Sequence, residues 1–331
     1  MTGKSYIEAD ADLSYRKVSG KEVAHLVLED NEDFVFIRSK KYHKGNGLGA
    51  IISWPEITHP NTVTQTVILV HGHLSHKNAI YQPDMAAKLS SLGYCVIRFD
   101  FRNQGDSEDN RDALLGRTLP QDFQDLDTIV RSLSAKRVYR GLELSLAAVI
   151  AHSRGVLVMF HYFNEHNRQR VPLLVNCCGR FGSAKILERY DRVFPSWRGD
   201  HGFTAKTFRF GQYTDYWVSE AEIMSTAQVD TRQFTRLDHG TKVLLIYCQC
   251  DAVIPESDGI QYRNMFRLAH YDTNFCEIPF ADHNFYGLPG DKNSYGLPLK
   301  RNKVNYASLV LETLLPHLPP QMKPEKRTPP L

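Results

Sequence analysis

The amino-acid sequence predicts an α/β fold in which helices cover both faces of a mostly parallel central sheet. The first observation is that short apolar runs, each followed by turn or polar residues, alternate with longer segments of helical periodicity. The second is that 331 residues with 42% hydrophobic content can bury one large core. The third is that one long segment between two predicted strands interrupts the alternation, which indicates an insertion.

The elements follow in order along the chain. Residues 1–20 form a polar lead-in, and short strands at Val23–Leu28, Asp33–Ile37 and Leu48–Ser53 predict an antiparallel edge. The parallel strands are then expected at 67–70, 94–99, 146–151, 172–177, 243–248 and 273–278. The helices are expected at 78–92, 120–135, 154–166, 257–269 and 304–317.

The insertion predicts a cap over the carboxyl edge of the sheet. It spans 182–241 and divides the predicted core domain into 21–181 and 242–318, while the proline-rich and charged tail, 319–331, is expected to be disordered. Packing of a small helical cap and lining of an apolar pocket explain its aromatic residues equally well: Tyr190, Phe194, Trp197, Phe203, Phe208, Phe210, Tyr213, Tyr216 and Trp217. The charged residues of the cap, among them Arg189, are expected to form its solvated face.

Ser153 is the first candidate for a reactive side chain. It ends the apolar run that starts at Ala147, and helical spacing resumes directly after it. A serine on a tight strand-to-helix turn exposes its hydroxyl, and such a turn requires small residues two positions to either side. Ala151 and Gly155 meet this requirement. The alternative is an ordinary helix start capped by a serine.

Two downstream loops supply an acid and a base in the order that such a serine site requires. Asp251 follows the apolar run 243–248, and His283 follows the run 275–280. Because the carboxyl ends of parallel strands share one edge of a sheet, these side chains can converge on Ser153. Asp258 and Asp282 are the rivals of Asp251, which we prefer for its position in a loop just past a strand.

A fourth segment offers backbone donors for a developing negative charge. The run Thr66–Val70 ends in His71-Gly72-His73, where a glycine lets the backbone turn its amides toward the serine. The N–H groups of His73 and Arg154, the residue after the serine, would then form an oxyanion hole. The simpler interpretation is that the glycine only terminates the strand.

Together these segments resemble the α/β-hydrolase superfamily over about residues 23–318. The His-Gly turn, the helix expected after Lys77 and the strand ending at Asp100 are similar to the branch of cinnamoyl esterases, monoacylglycerol lipases and serine aminopeptidases. The segment 100–107 resembles the Asp-x-Arg-Gly-x-Gly-x-Ser loop of that branch, with Asn103 in place of the first glycine. Asparagine tolerates a left-handed backbone, so this turn can survive. Ala151 stands where the family most often has glycine.

The resemblance implies an α/β-hydrolase fold and a serine hydrolase that cleaves esters through an acyl-enzyme. Ser153 would be the nucleophile, Asp251 the acid, His283 the base, and His73 and Arg154 the sources of the oxyanion-hole amides. An apolar or aromatic acyl group is expected if the cap aromatics line the cavity. A peptidase or amidase, an acyltransferase, and a non-catalytic small-molecule receptor or interaction protein remain alternatives.

Composition excludes several other classes. The net charge of +3 with scattered basic residues argues against nucleic-acid binding, and the lack of an apolar run of about 18 residues argues against stable membrane insertion. The polar N-terminus lacks the pattern of a secretory signal, and the six cysteines contain no Cys-x-x-Cys pair, so we expect structural thiols in a cytoplasmic protein. The histidines show no metal-ligand spacing, and no cofactor or metal site is predicted. The sequence does not define an oligomeric state.

Overall fold

A computed structural model describes residues 6–9, 11–19, 22–56, 63–110, 112, 115–287 and 306–320. The described residues form twelve strands: β1 (Ile7–Glu8), β2 (Leu13–Lys17), β3 (Glu32–Ser39), β4 (Leu48–Ser53), β5 (Thr64–Val70), β6 (Cys95–Phe99), β7 (Leu144–His152), β8 (Leu173–Cys177), β9 (Gly202–Arg209), β10 (Gln212–Ser219), β11 (Lys242–Cys248) and β12 (Thr273–Ile278). They also form eight α-helices: α1 (Gln82–Ser91), α2 (Leu119–Ser132), α3 (Arg154–Glu165), α4 (Lys185–Val193), α5 (Trp197–Asp200), α6 (Glu220–Ala227), α7 (Glu256–Leu268) and α8 (Ala307–Leu314).

Ten of these strands build one sheet in the order β1-β2-β3-β4-β6-β5-β7-β8-β11-β12. The pairs from β1 to β4, and β4 with β6, are antiparallel, whereas every pair from β6 to β12 is parallel. The strands β5, β7, β8 and β11 at the centre are almost entirely buried, as expected for a sheet covered on both faces. The predicted α/β class and mostly parallel sheet are therefore confirmed.

Two large apolar clusters cover the faces of this sheet. One packs α2, α3 and α7 against the sheet and includes Ile68, Phe160 and Leu245. The other packs α1 and α8 against the opposite face and includes Leu69, Met85 and Val310. Successive strand residues such as Ile68 and Leu69 thus enter different clusters, because side chains alternate across a sheet.

The prediction of a strand at Val23–Leu28 is wrong. Residues 22–25 form a turn, and residues 26–29 have no regular structure. The outer edge of β3 is occupied instead by β2, which lies inside the segment predicted as a polar lead-in. Val23 is buried in a small cluster with Phe34 and Phe36, so side-chain packing rather than strand pairing explains its apolar character.

Helix α1 begins later than predicted. We expected a helix from residue 78, but residues 77–80 form turns and the helix starts at Gln82, with a proline at its N-terminus. Proline suits this position because it fixes φ at a helical value and its missing N–H would have no partner within the helix. The last predicted helix, 304–317, corresponds to α8 followed by a 3₁₀ turn at Leu315–His317, and residues 304–305 lie outside the described residues.

The segment between β8 and β11 contains α4, α5, β9, β10 and α6. Its helices match the expectation of a helical insertion, but β9 and β10 form an antiparallel hairpin that we did not predict. The turn of the hairpin has two residues, Phe210 and Gly211, both with positive φ. We refer to residues 182–241 as the cap. Of the predicted disordered tail, residues 321–331 lie outside the described residues, while Pro319 accepts a hydrogen bond from the Tyr94 hydroxyl at 2.7 Å.

Among the described residues, no helix combines the length and apolarity needed to cross a bilayer.

Candidate active site

Ser153 occupies a strained turn between β7 and α3. Its φ of 53° and ψ of −120° lie outside the regions that non-glycine residues usually adopt. The surroundings admit little extra volume, because a Cβ on Gly155 would lie 2.6 Å from the His71 carbonyl oxygen. A Cβ on Gly72 would lie 3.1 Å from the Ser153 Cβ. The sequence pattern of small residues around Ser153 therefore has the steric cause that we inferred.

Two hydrogen bonds link Ser153, His283 and Asp251. The Ser153 Oγ lies 2.9 Å from His283 Nε2, and His283 Nδ1 lies 2.6 Å from Asp251 Oδ2. The Asp251 side chain is fully buried, and that of His283 is 14% exposed. The structure thus brings together the three side chains that the sequence placed at the carboxyl ends of β7, β11 and β12.

Asp251 is oriented by its own loop. Its Oδ1 accepts hydrogen bonds from the backbone N–H groups of Val253 at 2.7 Å and Ile254 at 2.8 Å, which leaves Oδ2 to face the imidazole. The two rival carboxylates are engaged elsewhere. Asp258 accepts from the N–H of Phe181, and Asp282 accepts from backbone N–H groups in its own loop. Of the three candidate carboxylates, only that of Asp251 is hydrogen-bonded to the imidazole of His283.

His152, the residue before the serine, fixes the backbone of His283. Its Nε2 donates to the His283 carbonyl oxygen at 2.8 Å. Burial lowers the pKa of His152 to about 3, so this imidazole is neutral at physiological pH. For His283, burial lowers the pKa, but the hydrogen bond and charge of Asp251 outweigh it, and the pKa rises to about 9. The carboxylate therefore favours the protonated imidazole, as a base that receives a proton during a reaction requires.

His73 and Arg154, whose backbone amides are the predicted donors, line the same cavity as Ser153 and His283. In the part of the chain that the structure describes, neither N–H group has a hydrogen-bond acceptor. Gly72 permits the close approach of the His73 turn to the serine. Both amides are thus available to a ligand, as an oxyanion hole requires.

The loop that resembles the Asp-x-Arg-Gly-x-Gly-x-Ser motif supports the His73 turn from behind. The N–H of Phe101 donates to His71 Nε2 at 3.1 Å. Asn103 has a φ of 64°, which confirms that asparagine replaces glycine here in a left-handed turn. Gly105 also has a positive φ of 49°, and a Cβ there would lie only 2.1 Å from the Asp100 carboxyl carbon. Any other residue at this position would have to displace the Asp100 carboxylate.

A buried network of charges connects the site to helix α6 of the cap. Glu222 of α6 accepts from His73 Nε2 at 2.9 Å and from the backbone N–H of Arg117 at 2.8 Å. Arg154 Nε donates to the Thr226 hydroxyl of α6 at 3.1 Å. The guanidinium groups of Arg117 and Arg154 both pair with the buried carboxylate of Asp122. The side chains of both residues that offer the free amides are therefore bonded to the cap.

A cavity of about 380 Å³ opens at Ser153 beneath the cap. Its wall is mainly apolar and includes three of the cap aromatics, Tyr190, Phe194 and Phe203. Phe194 and Phe203 are stacked with their ring centroids 3.8 Å apart. Trp197, in contrast, is fully buried in the core of the cap, and Tyr213 is exposed on the hairpin. Core packing and pocket lining, which the sequence left open, thus each account for part of the aromatic set.

Cys178 lies beside the acid and the base. The described residues contain one group of potential metal ligands, Cys178, Asp251 and His283, whose donor atoms lie within 4.8 Å of one another. Asp251 and His283 are already bonded to each other, and burial raises the pKa of the Cys178 thiol well above its ordinary value. A neutral thiol is a poor metal ligand. We therefore assign this group to the Ser-His-Asp arrangement. All six cysteines are free of disulfides: Cys95, Cys177, Cys178 and Cys248 are buried, as expected for structural thiols, whereas Cys250 and Cys276 are partly exposed.

Some polar groups of the site are not evident from the sequence. Arg180 lines the cavity from the loop after β8, and Arg189, which we expected on the solvated face of the cap, lines it from α4. Arg117 and Asp122 lie five residues apart at the start of α2. Glu222 comes from α6 and meets Arg117 only in the folded chain. No local spacing connects Glu222 to the other two, whereas His152 could have been noted from its position next to the serine.

Fold, topology and site geometry define an α/β hydrolase, and comparison with known proteins agrees. A profile of the alpha/beta hydrolase fold family matches residues 65–215. The chain is 38% identical over 313 residues to the uncharacterised protein YDL057W of Saccharomyces cerevisiae, an alignment that covers 89% of this chain and 94% of the yeast protein. The protein belongs to the α/β-hydrolase superfamily.

Three solved structures share the fold at low sequence identity. The ferulic acid complex of Est1E from Butyrivibrio proteoclasticus superimposes with a TM-score of 0.56 at 14% identity, covering 81% of this chain and 92% of that protein. A monoacylglycerol lipase from Paleococcus ferrophilus superimposes with a TM-score of 0.51 at 15% identity, covering 77% of this chain and 96% of that protein. The esterase domain of a Rhodothermus marinus protein superimposes with a TM-score of 0.51 at 18% identity, covering 82% of this chain and 93% of that domain.

Proposed function

We propose that this protein is a serine hydrolase that cleaves carboxylic esters with an apolar or aromatic acyl part. The observation that carries the proposal is the continuous hydrogen-bonded series from Asp251 through His283 to Ser153 at the mouth of the cavity. A serine that only caps a helix needs no histidine beside it and no buried carboxylate bonded to that histidine.

In the proposed mechanism, the hydroxyl of Ser153 donates to His283 Nε2 and loses its proton to it as Oγ attacks the ester carbonyl carbon. Asp251 accepts the Nδ1–H bond and stabilises the imidazolium that forms. The negative charge on the carbonyl oxygen is held by the N–H groups of His73 and Arg154. His283 then protonates the leaving alcohol, and water releases the acyl group from Ser153 by the same route.

The cavity supports a small-molecule ester as the substrate. Its volume of about 380 Å³ is within the range of sites that hold small ligands, and the stacked Phe194 and Phe203 offer a flat apolar surface to the acyl part. The names of two proteins of similar fold, a monoacylglycerol lipase and an esterase domain, are consistent with ester chemistry.

The test compares the wild type with Ser153→Ala on 4-nitrophenyl butyrate. Loss of the nucleophile is expected to lower kcat by about a millionfold, as in other triads. Ser134→Ala is the matched control, because Ser134 is exposed and remote from the cavity, and it should keep full activity. Equal rates for wild type and Ser153→Ala would refute the proposal.

A fluorophosphonate probe provides a second measurement that does not depend on the choice of ester. It should label wild type and Ser134→Ala stoichiometrically and leave Ser153→Ala unlabelled. Faster cleavage of an aminoacyl amide than of the matching ester would assign the site to a peptidase instead. Ligand-induced thermal stabilisation without turnover or labelling would assign the fold to a receptor.

A further inference from the structure

Arg180 is a buried cation that has no carboxylate partner in the described part of the chain. It follows β8, is only 8% exposed, and lies on the wall of the cavity. Its Nη2 donates to the Val253 carbonyl oxygen at 2.6 Å, and no carboxylate oxygen of the described residues lies within 4.0 Å of its guanidinium. Burial of an unpaired charge is costly, so such a group points to a ligand that supplies the missing counter-charge.

The rest of the Arg180 guanidinium remains accessible, and Arg180 lines the cavity. Its N–H groups form no other hydrogen bond with the described residues. Each nitrogen atom of the guanidinium is either hydrogen-bonded or accessible to solvent. Arg117 and Arg154 show the contrasting case in the same region, since both are paired with Asp122. Arg180 therefore keeps donors that are available to a molecule bound in the cavity.

Arg189 adds a second positive charge to the same wall. It lies on α4, is partly buried, and forms no ion pair with any of the described residues. Burial lowers the pKa of Arg180 most strongly, the charges of Asp258 and Asp251 raise it, and the charge of Arg189 lowers it, so that the net shift is downward. Asp258 is itself bonded to the N–H of Phe181 and lies 3.9 Å from Lys185 Nζ.

The negative charge on the wall does not offset these two cations. Glu222 is the acidic residue that lines the cavity, and its carboxylate already accepts from His73, Tyr216 and the backbone of Arg117. The cavity thus combines a largely apolar wall with two cations that form no ion pair within 4.0 Å with any of the described residues.

We propose that the cavity contains an anion subsite formed by Arg180 and Arg189, and that the preferred substrate is an ester carrying a carboxylate or phosphate group. This inference rests on the proposed ester hydrolysis at Ser153. The guanidinium fork of Arg180 binds two oxygen atoms of the anion, while the apolar wall holds the carbon chain between the anion and the ester. The two arginines select the substrate and do not take part in bond cleavage.

The experiment measures the ratio of kcat/KM for 4-nitrophenyl hydrogen glutarate to that for its neutral methyl ester. The wild type is expected to prefer the anionic ester, and Arg180→Gln and Arg189→Gln are each expected to lower the ratio by about tenfold to a hundredfold, the range of charge-assisted hydrogen bonds. Arg192→Gln is the matched control, because Arg192 lies on the same helix as Arg189 with its side chain exposed, and it should leave the ratio unchanged. An unchanged ratio in both cavity variants, or a wild-type preference for the neutral ester, would overturn the inference.

Two further arms identify the anion and its position. A preference for 4-carboxyphenyl butyrate over phenyl butyrate places the charge on the alcohol half, and a preference confined to the glutarate pair places it on the acyl half. Inhibition of neutral-ester cleavage by inorganic phosphate more strongly than by glutarate identifies a phosphate subsite, and the reverse identifies a carboxylate subsite. Arg189 is partly exposed, so its variant keeps the test valid if Arg180→Gln fails to fold.

A binding measurement separates this inference from the proposed function. Calorimetry on Ser153→Ala should show monomethyl glutarate binding at least about tenfold more tightly than dimethyl glutarate, with the difference lost in the double variant Ser153→Ala/Arg180→Gln. Binding of this kind without turnover by the wild type would refute the hydrolase and retain the subsite. Turnover of neutral esters, together with equal binding of monomethyl and dimethyl glutarate, would retain the hydrolase and refute the subsite.

Discussion

The substitution Asp251→Asn tests the proposed role of the acid with almost no change in volume. Asp251 Oδ1 accepts from the N–H groups of Val253 and Ile254, and these backbone donors cannot reverse their polarity. The amide oxygen of the asparagine must therefore take this position, which turns its NH₂ group toward His283 Nδ1. An NH₂ group cannot accept the Nδ1–H bond, so the imidazole is driven to the tautomer that carries its proton on Nε2. That tautomer cannot receive the proton of Ser153.

The expected loss in kcat is about ten-thousandfold, the effect of the same substitution in other triads, with the fold retained. The assay is kcat and kcat/KM on 4-nitrophenyl butyrate, with thermal unfolding as the check on structure. Asp282→Asn is the matched control, because the asparagine oxygen can still accept from the N–H groups of Asn284 and Tyr286. It should retain activity within about threefold. A loss of less than about tenfold in Asp251→Asn would show that the orientation of the imidazole does not depend on this carboxylate.

Two other predictions follow from the same geometry. Because His283 must be neutral to accept a proton and Asp251 raises its pKa to about 9, kcat/KM is expected to rise with pH and to level off only in alkaline solution. A pH profile that is already flat below pH 6.5, the ordinary pKa of a histidine, would contradict this prediction. Gly155→Val is expected to lower the free energy of unfolding by about 2 kcal/mol or more, because its Cβ would lie 2.6 Å from the His71 carbonyl oxygen. Urea unfolding measures it, and stability within about 0.5 kcal/mol of the wild type would show that the turn can relax.

The parts of the site that the sequence predicts are those with a local steric or topological cause. Ser153 is recognisable because its turn requires small neighbours, and His283 is recognisable because it follows a strand that ends at the same sheet edge. The contact between Asp251 and His283 follows from the same topology, although the sequence offers three candidate carboxylates. They are distinguished only by the hydrogen bonds that Asp251 accepts from the backbone of its loop.

The parts that the sequence did not predict depend on contacts between distant segments. The hairpin of β9 and β10 turns at Phe210 and Gly211, and a phenylalanine at positive φ lacks the Asn-Gly signal by which such turns are usually recognised. Arg189 belongs to a helix whose charges suggest a solvated face, and only the packing of α4 over the cavity turns it inward. The position of Val23 depends on which strand covers the edge of β3, which local periodicity does not encode.

The attachment of helix α6 to both residues that supply the free amides has a consequence for engineering. Glu222 accepts a hydrogen bond from His73, and Thr226 accepts one from Arg154. A cap transplanted from another member of the superfamily would therefore remove the hydrogen-bond partners of both residues along with part of the cavity wall. Chimaeras made to alter selectivity are therefore expected to lose catalytic rate unless residues 220–227 are kept from the parent chain. Diversity is better introduced in α4 and the hairpin, which contribute to the wall without bonding to either of those side chains.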